Sequence, residues 1–212
     1  MLTVWGRRSS SNVQALMWCI GELSLPYHRH DAGHIYGGTN TPEFLAMNPN
    51  GTIPVLKDGD EEALWETGAI LRYLANRYGP EAFWPKDLSA RTNVDKWAEW
   101  SKLNIALMFT APIFWRVVRT PENERDDDAI EKALAAFSAK LKIAEERLSA
   151  HDYLAGPDFT LADIQFGHVL YRYYDIAIQR PAFPAVRSYY QRLTERPAFK
   201  EHVMVSYDEL RA

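Results

Sequence analysis

Asn48-Pro49-Asn50-Gly51-Thr52-Ile53-Pro54-Val55-Leu56, followed ten residues later by Glu66-Thr67-Gly68-Ala69-Ile70, is the stretch on which the fold turns. Asn-Pro and Asn-Gly are turn dipeptides, and the apolar run after them reads as a strand over Ile53–Leu56. Pro54 has no N–H to give a ladder, so a strand beginning there lies at an edge or enters through a bend. A cis Ile53–Pro54 bond would turn the N–H and C=O of Ile53 outward, where they can pair with the main chain of a ligand. Glu66 and Thr67 then put a carboxylate and a hydroxyl at a helix start, beside N–H groups that suit a ligand carboxylate while Glu66 suits a ligand ammonium. The two pieces together describe a socket for something peptide-like with an amino-acid head.

Working outward, Leu2–Gly6 reads as a strand and Leu25–His30 as a second one. Between them Val13, Leu16, Met17, Ile20 and Leu23 follow helical spacing, with Ser9, Ser10, Ser11 and Asn12 ahead as capping residues. A loop over Ala32–Asn40 with a short helix at Pro42–Met47 leads into the quoted stretch. A strand at Ala63–Trp65 and a helix over 66–78 complete the first half, and Tyr78-Gly79-Pro80 ends that helix. Beyond residue 88 no strand pattern recurs. A long helix from about Ser89 bends or ends at Pro112, and an amphipathic helix runs Ala129–Ala150 after the charged loop 120–128. Thr160 and Asp163 have capping-box spacing, with Phe159 placed to staple onto Ile164. Final helices are expected over Ala182–Arg196 and Ala198–Leu210. The division is residues 1–79, a linker at 80–88, and a helical unit over 89–212.

Bulk properties narrow the class. The chain has 212 residues, 47% hydrophobic and 25% charged, with a formal net charge of -4. That gives no electrostatic reason to expect nucleic acid or an anionic membrane as partner. No apolar run approaches a membrane span, and no basic segment with an apolar signal region opens the chain. Cys19 is the single cysteine, which points to a reducing, cytoplasmic setting. It falls on the apolar side of the first helix, as an inert thiol. No CxxC and no spaced His/Cys set argues for a metal. The Gly37-Gly38 pair is a turn signal, not a phosphate cradle.

The order strand, helix, strand, proline-led strand, strand, helix, with the Ile53, Pro54, Glu66 and Thr67 pattern, resembles the glutathione transferase superfamily, in particular its bacterial serine-type members akin to the theta, delta and nu classes. The resemblance implies an α+β thioredoxin-like domain followed by an all-α domain, and it covers essentially the whole chain. It also implies glutathione as co-substrate, paired to the backbone of Ile53 ahead of Pro54, with its γ-glutamyl end at Glu66 and Thr67 and neighbouring contacts from Thr52 and Asn40. Thr67 stands where serine is usual. Thr39 and Gly51 stand where several subfamilies carry side chains for the glycyl carboxylate, so that contact would pass to Asn40, Asn50, His34 or a backbone group.

A helix N-terminus and a hydroxyl donor both favour a thiolate. Aligned on the first helix, Ser10 takes the place of the family's serine and Asn12 that of an amide donor; a slip of one residue would bring in Ser9 or Ser11. The resemblance implies an apolar electrophile in a cleft over the long helix, with Ser101, Asn104, Met108 and Trp115, and Arg116 at the far end, as candidate lining. Detoxifying conjugation is the expected activity. Reduction of glutathione mixed disulfides or hydroperoxides, and a non-catalytic binding role, are the alternatives. A homodimer is implied by the resemblance alone.

Overall fold

The computed structural model describes all 212 residues. Four short strands form one sheet: β1 (Leu2–Trp5), β2 (Tyr27–His30), β3 (Val55–Asp58) and β4 (Leu64–Trp65), in the order β2-β1-β3-β4. β1 and β2 run parallel, whereas β3 is antiparallel to both β1 and β4. Helix α1 (Ser11–Glu22) makes the crossover between the parallel pair, α2 is Pro42–Met47 and α3 is Thr67–Tyr78. The sequence places β3 two residues too early. Ile53–Pro54 is cis, and the ladder starts after the proline, at Val55. β3 is therefore interior to the sheet and not an edge, because Pro54 stands outside the ladder where its missing N–H costs nothing.

α1 is buried on more than its expected stripe. Val13 through Ile20 expose almost nothing, Gln14 and Cys19 included. The sheet and α3 cover one side, and α8 (Leu161–Gly167) and α11 (Pro197–His202) cover the other. Apolar packing is continuous from Leu2 in β1 to Leu210 near the C-terminus. Across the seam, Arg72 of α3 donates to Asp95 and Glu99 of α4 (Leu88–Ser101) at 2.6 and 2.7 Å. Arg196 grips both carboxylate oxygens of Glu22 at 2.7 and 2.6 Å. Gly167 lies where the indole of Trp18 comes against α8; a Cβ there would sit 2.5 Å from Leu193 and 2.9 Å from Trp18.

The long helix does not end at Pro112. α4 continues through a π-helical segment at Lys102–Ala106 into α5 (Leu107–Phe109), and a second π segment at Thr110–Trp115 leads to α6 (Arg116–Val118). Wide i→i+5 turns absorb a residue that has no N–H to donate, so the axis passes the proline. α7 is Asp127–Leu148, capped by Asp126, whose carboxylate accepts from Ala129 N–H at 2.9 Å. Thr160 and Asp163 form the expected capping box at the head of α8. The Asp163 carboxylate accepts from Thr160 N–H at 2.8 Å, Leu154 N–H at 3.1 Å and the Tyr189 hydroxyl at 2.9 Å. Phe159 packs among the rings of Trp18, Phe83 and Tyr153.

α9 is Leu170–Asp175 and α10 is Pro184–Glu195. The last expected helix is shorter than its pattern. α11 stops at His202, and only a 3-10 turn at Asp208–Leu210 follows. Val203, Val205 and the Ser206 hydroxyl, which accepts from Asp208 N–H at 3.1 Å, favour a turn over continued helix. The chain thereby crosses back over the mouth of the cleft between sheet and helices. No helix is long and apolar enough to cross a membrane.

Candidate functional site

Ile53 packs against Gly6 just ahead of α1, within 3.4 Å of a Cβ placed there, and Lys102 bonds Asn12 of α1 while the charge of Glu66, at the head of α3, acts on it. Neither the N–H nor the C=O of Ile53 takes a partner within the chain. The turn ahead of it is held by Asn48, which is buried. Asn48 Nδ2 donates to the carbonyl of Thr52 at 2.8 Å and to its Oγ1 at 3.2 Å, and Asn48 Oδ1 accepts from Asn50 N–H and Nδ2 at 3.1 and 3.0 Å. Thr52 and Asn50 thus commit part of their polar groups to the turn. Gly51 has φ +62° and a Cβ there would meet the Thr39 carbonyl at 3.1 Å, so the position suits only glycine. Asn40 stands exposed beside this turn.

Glu66 has φ +68°, in a region uncommon for a residue with a Cβ. Its side chain is exposed and caps nothing. Thr67 opens α3, buried to 3% exposure, and no side chain caps the first turn. Carboxylate, hydroxyl and free helical N–H groups therefore stand together, as the spacing predicts.

At the head of α1 the four polar residues have separate assignments. Ser9 is buried and its hydroxyl donates to the Glu209 carboxylate, from the 3-10 turn near the C-terminus. Ser11 is buried in the first turn. Asn12 Oδ1 accepts from Lys102 Nζ at 2.9 Å. Lysine only donates, so this bond fixes which way the amide faces and leaves its NH₂ free to donate. Ser10 is the N-cap, half-exposed, and its hydroxyl makes no cap bond. Of the four, it alone joins partial exposure to an uncommitted hydroxyl. Burial lowers the pKa of Lys102, against the pull of Glu66 and Glu99, which places its charge between α1 and α3.

The second-substrate candidates divide. Ser101 is fully buried against α8, its hydroxyl without a partner, and presents no surface to a cleft. Asn104 donates to the Trp100 carbonyl at 3.2 Å, and Met108 is partly buried against the core. Trp115 is 43% exposed, with the guanidinium of Arg119 4.7 Å above its ring. Arg116 points to Asp126, 4.0 Å away. Tyr36, at the other lip, donates to Glu209 at 3.4 Å. Cys19 exposes nothing, and burial pushes its thiol far up, so it takes no part. A hollow of about 430 Å³ among Val117, Ile130, Leu134 and Ile178 includes no residue of the α1 terminus. No cluster of His, Cys, Asp or Glu is placed to hold a metal.

Sequence reasoning missed Asn48 as the pin of the turn, Lys102 as the partner of Asn12, and Glu209 with its arginines. Asn48 carried a signal, since a side chain of that type ahead of Asn-Gly is a natural Asx-turn former. The others come from distant chain and had none.

Known proteins match this arrangement. The family described as glutathione S-transferase, N-terminal domain, matches residues 1–76, and the C-terminal domain family matches residues 105–197. Glutathione S-transferase GstB of Escherichia coli strain K12 is 34% identical, over 97% of this chain and 99% of its own length. Glutathione S-transferase 3 of Zea mays is 32% identical, over 95% of this chain and 93% of its own. Among solved structures, a theta class glutathione S-transferase from Xanthomonas axonopodis pv. citri, with glutathione bound, superposes with a TM-score of 0.91. It is 40% identical, with 97% of this chain and 98% of that one covered.

Proposed function

The chain belongs to the glutathione S-transferase family, and from that premise we propose how it performs the transfer. Glutathione lies along the groove with its cysteinyl main chain on the free N–H and C=O of Ile53, ahead of Pro54. Its γ-glutamyl ammonium faces Glu66, and the carboxylate beside it meets the Thr67 hydroxyl and the uncapped first turn of α3. Its glycyl end lies toward Asn40, exposed beside the turn at Gly51, with the free amide oxygen of Asn50 and the Thr52 hydroxyl proton as neighbouring groups.

The thiol meets Ser10, whose hydroxyl donates to the sulfur and favours the thiolate. Asn12, its amide orientation set by Lys102, supplies a second donor. The thiolate attacks an electrophilic carbon held under Trp115 and Met108; the C–S bond forms as the leaving group departs with its electron pair. The observation that carries this reading is the uncommitted, partly exposed hydroxyl of Ser10 at the N-cap of α1, where the Ser9 hydroxyl is bound to Glu209 and Ser11 is buried. Conjugation of chlorodinitrobenzene with glutathione, followed in the wild type and in Ser10→Ala, tests it. Equal turnover in the two removes Ser10 from the chemistry.

We read the active species as a homodimer in the cytoplasm that clears reactive electrophiles. Trp65, Leu103 and Leu107, at 37, 52 and 53% exposure, are the apolar side chains offered to a second copy. Light scattering that returns a monomer's mass at assay concentration would overturn the dimer.

A further inference from the structure

Three guanidinium groups bear on the loop that carries Ser9 and Ser10: Arg7 stands within it, Arg172 is bonded to it, and the charge of Arg119 acts on both. Arg172, on α9, is 2% exposed. Its Nη2 donates to the backbone carbonyl of Ser9, and its guanidinium lies 4.5 Å over the ring of Phe114 and 5.5 Å over that of Tyr207. No carboxylate pairs with it. Arg119, at the end of α6, has no carboxylate partner either and rests on Trp115. Arg7 follows β1, and its Nη1 reaches the space over Gly33, where Ile53 and Thr39 also converge. Burial lowers the pKa of Arg7 and the charge of Arg119 adds to it; burial, with Arg7 and Arg119 adding, lowers that of Arg172 to about 9.

Only one carboxylate answers these three charges. Glu209 lies 3.9 Å from Arg7 Nε and accepts from Ser9 and Tyr36. The nearby Asp175 is taken by the Tyr207 hydroxyl, and Asp208 by Arg211 at 2.9 Å. A buried guanidinium without a counter-ion is costly, and folding has no use for three cations around one anion. Such an excess of like charge beside a reactive centre attracts and orients an anion.

We propose that the second substrate of this chain is an anionic electrophile, a small molecule carrying a carboxylate on the same framework as its leaving group. The proposal rests on the thiolate at Ser10 and specifies what that thiolate attacks. Arg119, with Arg7 beside it, receives the carboxylate; Arg172 is buried behind them and supplies field, not contact. The exposed aromatic face of Trp115 carries the Arg119 guanidinium and gives the framework a wall, while Phe114 is buried beneath Arg172. Glu209 is an internal anion that the substrate's carboxylate displaces, so the C-terminal turn competes with substrate for the same charges.

A matched pair of probes tests this. One is a fluoronitrobenzoate with fluorine para to the carboxylate and the nitro group beside the fluorine; the other is the corresponding benzamide. In both, the glutathione thiolate adds at the fluorine-bearing carbon, a C–S bond forms, and fluoride leaves with the bonding pair. The readout is the ratio of kcat/KM for acid over amide, each divided by its uncatalysed rate with glutathione. The wild type should favour the acid by about tenfold or more, a preference that shrinks with added salt. Arg119→Met should reduce that ratio about tenfold or more, while Glu209→Gln should raise it. Because each ratio is taken within one variant, a general loss of folding or thiolate chemistry cancels. If the amide is turned over and the acid is not preferred, or if neither variant moves the ratio, the anionic substrate is refuted and the thiolate reading stands. If neither probe reacts above the uncatalysed rate, the thiolate reading falls and this one with it.

Discussion

Replacing Ser10 with alanine should shift a pKa, and the shift can be sized from the site. Ser10 offers a hydroxyl with no competing bond at the N-cap of α1. A hydrogen bond to a charged group contributes about 1.5–3 kcal/mol. One pKa unit corresponds to about 1.4 kcal/mol, so the bound thiol of glutathione should rise by about one to two units in Ser10→Ala. A free thiol ionises near about 8.5, which puts the wild-type complex near about 6.5–7.5 and the variant close to the free value. Measured at saturating glutathione, the pH dependence of turnover and the ultraviolet absorbance of the thiolate should both report that displacement. At pH 6.5 the variant should be slower by roughly tenfold to fiftyfold, the ratio of the two thiolate fractions. Above about pH 9 both thiols are ionised, and the deficit should close. A thiolate of higher pKa is also the better nucleophile, with a Brønsted slope of about 0.4–0.5 in related attacks, so the variant should draw level or overtake. A deficit constant across the pH range would refute thiolate stabilisation, because the residue would then act only on geometry. Ser9→Ala is the control: its hydroxyl is bound to Glu209, so it should loosen the C-terminal turn and leave the thiol's pKa in place.

Glu66→Gln should raise KM for glutathione by about tenfold or more and change kcat little, because the carboxylate binds ground and transition states alike; a fall in kcat at constant KM would contradict this. Gly167→Ala brings a methyl group within 2.5 Å of Leu193 and 2.9 Å of Trp18 and should cost about 1–3 kcal/mol, seen as a Tm lower by about 2–12 °C. Burial raises the pKa of Asp163 to about 6, its four hydrogen bonds opposing only in part. With the folded value above the unfolded one, its contribution is full below about pH 4 and is lost as pH rises through 6; the span is about 3 kcal/mol. The stability of the wild type relative to Asp163→Asn should therefore fall between pH 4 and 6.5 in denaturant titrations, and a relative gain over that interval would refute the assignment.

The glutathione half was legible because its parts are local. Asn-Pro-Asn-Gly, Ile53-Pro54 and Glu66-Thr67 each state their geometry within a few residues, and the order of strands follows from them. Thr160 and Asp163 announced a helix start in the same way. What failed were boundaries set by packing. α11 loses its expected continuation because the chain from Val203 is drawn back across the cleft, where Tyr207 and Leu210 join the core. Ser101 has the spacing of a cleft residue and the burial of a core one, since α8 lies against that face of α4. Lys102, Arg172 and Glu209 meet the α1 terminus only after both halves have docked, and no short-range pattern encodes a meeting across 90 to 200 residues.

The long helix keeps one stripe of side chains on the core along its whole length. Ile105, Phe109, Ile113 and Val117 are all buried and lie four residues apart. An unbroken α-helix turns about 100° per residue, so three steps of four would carry the last of them about 120° off the core. The two π segments, at Lys102–Ala106 and Thr110–Trp115, take up that excess and keep the stripe facing inward. The same widening decides where Trp115 and Arg119 stand, and it brings them, stacked on one another, to the side where Arg7 and Arg172 wait. On the proposed reading, substrate choice depends on a helix register and a returning C-terminal turn, whereas glutathione binding depends on a proline corner. Variants at Arg119 would then change which electrophile is taken and leave the KM for glutathione in place.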